Sequence, residues 1–530
     1  MEASNPLGLC RIPNELLYKI VDALDDESAL QLGLTCTDLH YRALPILLER
    51  HGIKSFNTGH ISLHNSSKHV LRALATALFV QDVESIVFCP NSNFEDLHPN
   101  FLAMTHFVTR LPQVTVFDLH FGGYEVWLAS LFLNNSRSRD AQRWMENLLG
   151  LLNTILENGC TTLRVHRASH SDPLPASLQN ATRWTAPVVQ ESLGSTLNSS
   201  QHQRRGLGVL SIFPSWSPSP PPQSSSISYG CQKLSEFRIH SQVILQRPFI
   251  PWIRSIFQTN TASITTLSFK SSCKDHAAIW KDILSSTTLL SLYEFELTCH
   301  EEVNYWVPVD FTVLILFLLR HLSIRRLHLT AIYVPLPLSY PRFFFGPLLP
   351  QLVKLEAQPV FTYWLLNAKS PFPRFQRLSS VTVISDYRPE VAMDYDDFNA
   401  ALSVIAHYTM HSTDNIHLGL RFVAEFAVAQ WMLQHVSPFI GTNRSSISAL
   451  RRVTKLSVYT TDQRGAGCRS TLLGAVPESR GSTDELFLIP LSNFDFFTLV
   501  SISIPTPCTD EVIAHNEAPV SFCAKVSHSC

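Results

Sequence analysis

Residues 264–269 read Ile264-Thr265-Thr266-Leu267-Ser268-Phe269, an apolar-x-x-apolar-x-apolar figure that returns along most of the chain. It recurs as Leu292/Phe295/Leu297, Ile324/Leu327/Leu329, Leu352/Leu355/Ala357 and Leu378/Val381/Val383, in steps of 28, 32, 28 and 26 residues. Earlier instances are Val83/Ile86/Phe88, Val114/Phe117/Leu119, Cys160/Leu163/Val165 and Leu234/Phe237/Ile239, and a later one is Val453/Leu456/Val458. Side chains alternate across a strand, so the last two apolar positions point inward and the first turns the chain into the core. Between these strands lie helix-like stretches at 277–284, 309–322 and 398–408, the last opened by Asp394, Asp396 and Asp397. The pattern predicts an α/β protein built of strand–helix units whose apolar faces are closed by their neighbours. A doubly wound α/β sheet also alternates strand with helix and is the competing architecture.

The figure and its spacing resemble leucine-rich repeats, which run about 20–29 residues around an L-x-x-L-x-L strand. The asparagine of regular repeats is missing after most strands, so the resemblance is to the irregular kind.

Residues 12–53 follow a different rhythm. Ile12, Leu16, Leu17, Ile20, Val21 and Leu24 make one apolar helical face, with Pro13 placed in the first turn. Asp25, Asp26, Glu27 and Ser28 break the face and offer caps for a second helix through Ala29, Leu30, Leu32 and Leu34. A third opens near Thr35-Cys36-Thr37-Asp38 and carries Leu39, Tyr41, Ala43 and Leu44, with Pro45 starting a further short turn. Three short helices bury little surface on their own, and Cys10 and Cys36 offer no plausible disulfide, so a partner is the economical source of stability. This stretch resembles the F-box, the adaptor-binding module of cullin–RING ubiquitin ligases, most closely in its fungal form. The likeness lies in Ile12-Pro13-x-Glu15-Leu16-Leu17-x-x-Ile20-x-x-x-Leu24, then Leu30, Leu32, Leu34, Cys36 and Leu39, then Ala43-x-Pro45 with Leu47-Leu48. Where many family members carry Trp, this chain has Leu39 or His40. The resemblance implies that Ile12, Pro13, Leu16, Leu17, Ile20, Leu24, Leu34, Cys36 and Leu39 contact a Skp-type adaptor and, through it, a cullin ligase core. Irregular leucine-rich repeats often follow an F-box, and in that family they hold a protein substrate. An ordinary helical cap that closes the first apolar layer of a non-ligase repeat scaffold is the alternative.

Composition narrows the class. The 530 residues are 45% hydrophobic and 16% charged, against about 25% charged in ordinary soluble domains, which favours a large buried core. Net charge is -2 and basic residues pair only as Arg204-Arg205, Arg325-Arg326 and Arg451-Arg452, so neither nucleic acid nor an anionic membrane is an expected partner. The 11 cysteines include no C-x-x-C pair, which suits reduced thiols in an intracellular protein, cytoplasmic or nuclear. No signal peptide is read at the start. The longest apolar run, 311–319, falls short of the about 20 residues a bilayer needs and is expected to be a core helix.

The domain map that follows is a flexible 1–10, the helical unit at 11–53, a first repeat block at 54–167 and a second at 231–460. Residues 168–230, rich in Ser, Pro, Gln and Asn, are expected to be a disordered insertion, because they offer too little apolar surface to offset ordering. Residues 461–530 read as an irregular tail in which only 497–504 resembles a strand.

The sequence contains no recognisable catalytic motif. His300-Glu301-Glu302-Val303-Asn304 lacks the second histidine of a zinc protease, and no Gly-x-Ser-x-Gly elbow occurs. Gly206-Leu207-Gly208 and Gly465-Ala466-Gly467 lack the rest of a phosphate loop. The 22 histidines are dispersed, with His120, His166, His240 and His328 in or just after strands. Asp394, Asp396 and Asp397 read as helix-start charges, and Trp280, Trp306, Trp364 and Trp431 as core. No enzyme, metal or cofactor is expected. The candidate substrate surface is instead the set of outward positions Thr265, Thr266 and Ser268, then Tyr293, Glu294 and Glu296, then Arg325, Arg326 and His328, then Val353, Lys354 and Glu356. Its mixed charges suit a protein ligand, or a solvated face that neutralises itself.

Overall fold

The computed structural model describes residues 12–53, 59–66, 68–90, 94–121, 139–167, 234–271, 277–299, 307, 309–334, 348–367, 375, 377–385, 395–411, 416–422, 431, 450, 453–460 and 500–502. The segments expected to be flexible at 1–10 and disordered at 168–230, most of the tail at 461–530, and the near-motifs at 206–208, 300–304 and 465–467 lie outside them, as do Trp306 and Asp394.

The strands are β1 (His60–Ser66), β2 (Ser85–Pro90), β3 (Val116–His120), β4 (Thr162–His166), β5 (Glu236–His240) and β6 (Thr266–Ser271). They continue as β7 (Glu294–Cys299), β8 (Arg326–Leu329), β9 (Lys354–Ala357), β10 (Ser380–Ile384), β11 (Ile416–Phe422), β12 (Val453–Thr460) and β13 (Val500–Ile502). All thirteen form one sheet in strict chain order, and every pairing is parallel. A doubly wound sheet reverses its strand order at a switch point, and this order never reverses.

The register aligns the apolar figure into two buried columns. One runs Ile86, Phe117, Leu163, Phe237, Leu267, Phe295, Leu327, Leu355, Val381 and Leu418. The second runs Phe88, Leu119, Val165, Ile239, Phe269, Leu297, Leu329, Ala357, Val383 and Leu420. Each large side chain buried there contributes about 1.5–3 kcal/mol. Two strands had no sequence reading: β1, and β11, which fills the gap between the figures at 378 and 453. Both alternate strictly without a leading apolar residue three places earlier, as Ile61/Leu63 and Leu418/Leu420/Phe422 do.

Helices form a second layer. After the N-terminal unit come α4 (Lys68–Thr76), α5 (Phe94–Arg110), α6 (Arg139–Glu157), α7 (Ile250–Thr259) and α8 (Ala277–Ser286), and then α9 (Phe311–Arg320), α10 (Pro359–Leu366) and α11 (Tyr395–His411). Here α4 packs on α5, α5 on α6, α7 on α8, α8 on α9 and α10 on α11. The apolar run at 311–319 is α9, capped by Asp310, whose Oδ1 accepts from the Thr312 N–H at 2.7 Å. None of the described helices is long and apolar enough to cross a membrane. Trp280, Trp364 and Trp431 are buried, and Asp396 and Asp397 sit in the first turn of α11.

A recurring device closes the helix ends. The last carbonyls of a helix have no partner within it, and here a polar residue at the end of the next helix supplies one. Arg110 donates to Leu74 O at 2.8 Å and Val80 O at 3.2 Å. Asn158 donates to Val108 O and to Leu111 O, the latter at 3.2 Å, and Arg320 donates to Leu284 O. Burial lowers the pKa of both Arg110 and Arg320.

The N-terminal unit comprises α1 (Asn14–Ala23), α2 (Asp26–Gly33) and α3 (Thr37–Arg50). Asp25 caps α2 by accepting from the Ser28 N–H at 2.7 Å, and this bond lowers its carboxyl pKa. Pro13 is the N-cap of α1 and not its first residue. Pro45 does not start a new turn: α3 runs through it. An interior proline costs about 3 kcal/mol, and the burial of Leu44, Leu47 and Leu48 around it offsets that.

Candidate functional site

The nine residues assigned to adaptor contact divide into three groups. Leu17 and Leu39 are buried in the chain's own core, a correction to their reading as surface. Leu17 lies on the buried face of α1 and Leu39 on that of α3, and these two helices pack on one another. Ile12, Leu24 and Cys36 are half-buried against the same core. Leu16 (52% exposed), Ile20 (39%) and Leu34 (43%) stand in solvent, and Pro13 is exposed with them.

Two arginines of α3, two turns apart, hold α1 in place and were not singled out from the sequence. Arg42 donates from Nε to Asn14 Oδ1 at 2.8 Å, pairs with Asp38 Oδ2 at 3.0 Å and donates to Ile12 O. Arg50 donates to Leu24 O at 2.9 Å and to Val21 O, and meets Asp26 Oδ1 at 3.4 Å. The charge and spacing were visible, but the backbone carbonyls they reach were not. On the other side, α2 and α3 pack on α4, and His40 Nε2 accepts from the Leu78 N–H at 3.1 Å.

The outward face of the sheet carries ion pairs both between neighbouring strands and within single strands. Arg164 lies 2.7 Å from Glu236 and 3.7 Å from Asp118, and Arg238 lies 2.6 Å from the same Glu236. Arg326 faces Glu294 at 3.7 Å, and Lys354 meets Glu356 at 2.5 Å. His328 is half-buried between Glu296 (3.5 Å) and Glu356 (3.7 Å). Burial lowers its pKa against the pull of the two glutamates. For Glu356, burial acts upward, but the Lys354 bond and His328 together bring the pKa below the ordinary carboxylate value. Of the twelve candidate substrate positions, Glu294, Glu296, Arg326, His328, Lys354 and Glu356 are thus committed to one another. Arg325 is exposed and forms no ion pair among the described residues.

Three histidines line up across β3–β5. The rings of His120 and His166 are 4.7 Å apart and nearly stacked, and His240 meets His166 edge-on at 5.4 Å. Burial, reinforced by His120, Arg164, Lys270 and Arg238, lowers His166 to about 4, so it is neutral near pH 7. His240 Nε2 lies 2.8 Å from Ser268 Oγ, which in turn donates to Glu296 Oε2 at 2.6 Å. A serine nucleophile gives its proton to histidine. Here the Ser268 hydroxyl donates its hydrogen bond to the Glu296 carboxylate, which leaves histidine as the donor to Ser268, and Ser268 is buried, a correction to its reading as an outward position. These two bonds tie β5, β6 and β7 together. No group of three or more His, Cys, Asp or Glu among the described residues is arranged to hold a metal ion.

No protein-family model matches this sequence, and no curated protein matches it.

Proposed function

We propose that the chain is the substrate-recognition subunit of a Skp–cullin–F-box ubiquitin ligase. In this reading α1–α3 are a fungal-type F-box, and the strand–helix array is an irregular leucine-rich-repeat solenoid that binds a protein substrate. The observation that carries it is the apolar set Leu16, Ile20 and Leu34, left exposed on a three-helix unit whose other leucines are mostly buried. Such a set is the chemistry of a protein interface, and covering it would remove apolar surface from water. The chain contributes no reacting group and needs no cofactor; the ligase works by holding substrate near the ubiquitin-charged enzyme. The reading implies residence in cytoplasm or nucleus.

Co-expression with a Skp-type adaptor tests it. A stable complex is expected, and Leu16→Asp with Ile20→Asp is expected to abolish it by placing charge in an apolar contact. Full binding by the double variant overturns the assignment.

The packing of α2 and α3 on α4, with the His40–Leu78 bond, favours a second reading in which the helices only cap a non-ligase scaffold. Removal of residues 12–53 then lowers the melting temperature of the array, with no adaptor bound by either form.

A further inference from the structure

Two consecutive units leave a leucine in solvent at the same place. In Leu290-Ser291-Leu292-Tyr293 and Leu322-Ser323-Ile324-Arg325 the third residue is fully buried, while Leu290 is 69% and Leu322 45% exposed. The two turns are bonded into one rim. The Leu289 N–H donates to His321 Nε2 at 2.9 Å, and the Ser323 hydroxyl donates to Leu292 O at 2.8 Å and Leu290 O at 3.4 Å. Just beyond, the guanidiniums of Arg325 and Arg326 each lie 5.6 Å from the Tyr293 ring centre. Glu294 faces Arg326 at 3.7 Å, so two cations stand against one carboxylate, and Arg325 has no ion-pair partner among the described residues.

A single exposed leucine is ordinary. The same turn position exposed in two bonded units, beside an aromatic ring flanked by guanidiniums, is a different matter, because Tyr and Arg dominate interface hot spots. The hydrogen bonds also hold the rim in place beforehand, which lowers the ordering cost of binding.

We propose that the rim of β7 and β8 is the docking surface for an acidic peptide segment that carries a leucine-sized apolar side chain beside a carboxylate. The apolar side chain rests on Leu290 and Leu322, and the carboxylate takes the fork of Arg325, whose planar donors suit two oxygens. The proposal rests on the substrate-receptor reading and moves the contact from the self-neutralised face of the sheet to its edge.

The test uses the full chain and an array of short synthetic peptides that pair leucine with aspartate or glutamate at every close spacing. Lysine replaces the acids in the control array. Acidic peptides bind and lysine peptides do not. Arg325→Glu and the pair Leu290→Ser with Leu322→Ser each weaken binding by about tenfold or more, with unchanged melting temperature and adaptor co-purification. Arg325→Gln, which removes charge without reversing it, weakens binding in the same direction and guards against a misfolded variant. Absence of binding to any acidic peptide, or binding indifferent to Arg325→Glu and Arg325→Gln, overturns the proposal. Arg325-dependent peptide binding in a protein that captures no adaptor overturns the ligase reading and leaves the rim standing.

Discussion

The N-terminal helices and the strand–helix array solve the same problem in opposite ways. In the array each apolar column is covered by the units on either side, and the polar face pairs Arg164 with Glu236, Arg326 with Glu294 and Lys354 with Glu356. In the helical unit the inward leucines Leu17 and Leu39 are covered, but Leu16, Ile20 and Leu34 are left in solvent. Its closure relies on two arginines gripping backbone carbonyls. Repetition lets an element be covered by its own kind. A module that occurs once must find cover elsewhere or leave part of itself bare.

The largest effect separates the two regions directly. Phe295→Ala opens a hole in a column closed on both sides and is expected to cost about 3–5 kcal/mol, read by chemical denaturation. Leu16→Ala should stay within about 0.5 kcal/mol, since it leaves no cavity. Similar costs for both would end the contrast.

Acidification comes next and acts on the array. His321 is buried, accepts from the Leu289 N–H and has its pKa lowered to about 4, chiefly by burial and despite the Phe317 carbonyl. The folded pKa lies below the ordinary 6.5, so the unfolded chain binds the extra proton. His321 therefore contributes stability that is fully present above pH 6.5 and lost as pH falls towards 4, at about 1.4 kcal/mol per unit. His166 adds in the same direction over the same window, at a smaller cost because its ring is partly exposed. Thermal melts across this range in the native protein and in His321→Gln, which should flatten the slope, measure it.

Arg50→Met then tests the helical unit. Losing the bonds to Leu24 O and Asp26 should cost about 1–3 kcal/mol. That loss should appear as faster amide exchange confined to α1 and α2. Spread of the loss into β6–β9 would mean that the two regions unfold together. The smallest effect belongs to the polar face, where Arg326→Gln breaks an exposed pair and should change stability by less than about 1 kcal/mol.

The array was largely legible because its signal repeats. The residues of the figure at 264, 267 and 269 occupy the same buried rows as those at 292, 295 and 297, and register follows from period. The strand expected at 497–504 is present as β13 at its centre. Asp25 could be read as a cap because a cap acts over three residues. What escaped acts over longer separations. Arg110 reaches Leu74 O across 36 residues, and no local pattern announces that. Leu17 and Leu39 were assigned outward for a related reason. A helical face with apolar residues at 12, 16, 17, 20, 21 and 24 is wide enough to serve two sides, and only the position of α3 decides which leucines point inward. The register sets Glu294 beside Arg326 and Glu296 beside His328, yet their pairing with one another becomes visible only from distances.

The unbroken strand order also makes the sheet a ruler. Parallel strands sit about 4.8 Å apart, so the rim at β7 and β8 lies roughly 30 Å along the sheet from β1, the strand that precedes α4, on which the helical unit packs. Between β4 and β5 the register is continuous although 69 residues separate His166 from Glu236 in sequence. Splicing one extra strand–helix unit into that gap would lengthen the span by a single graduation of about 4.8 Å. Any process that depends on the distance between what binds at α1 and what binds at the rim should respond in steps of that size.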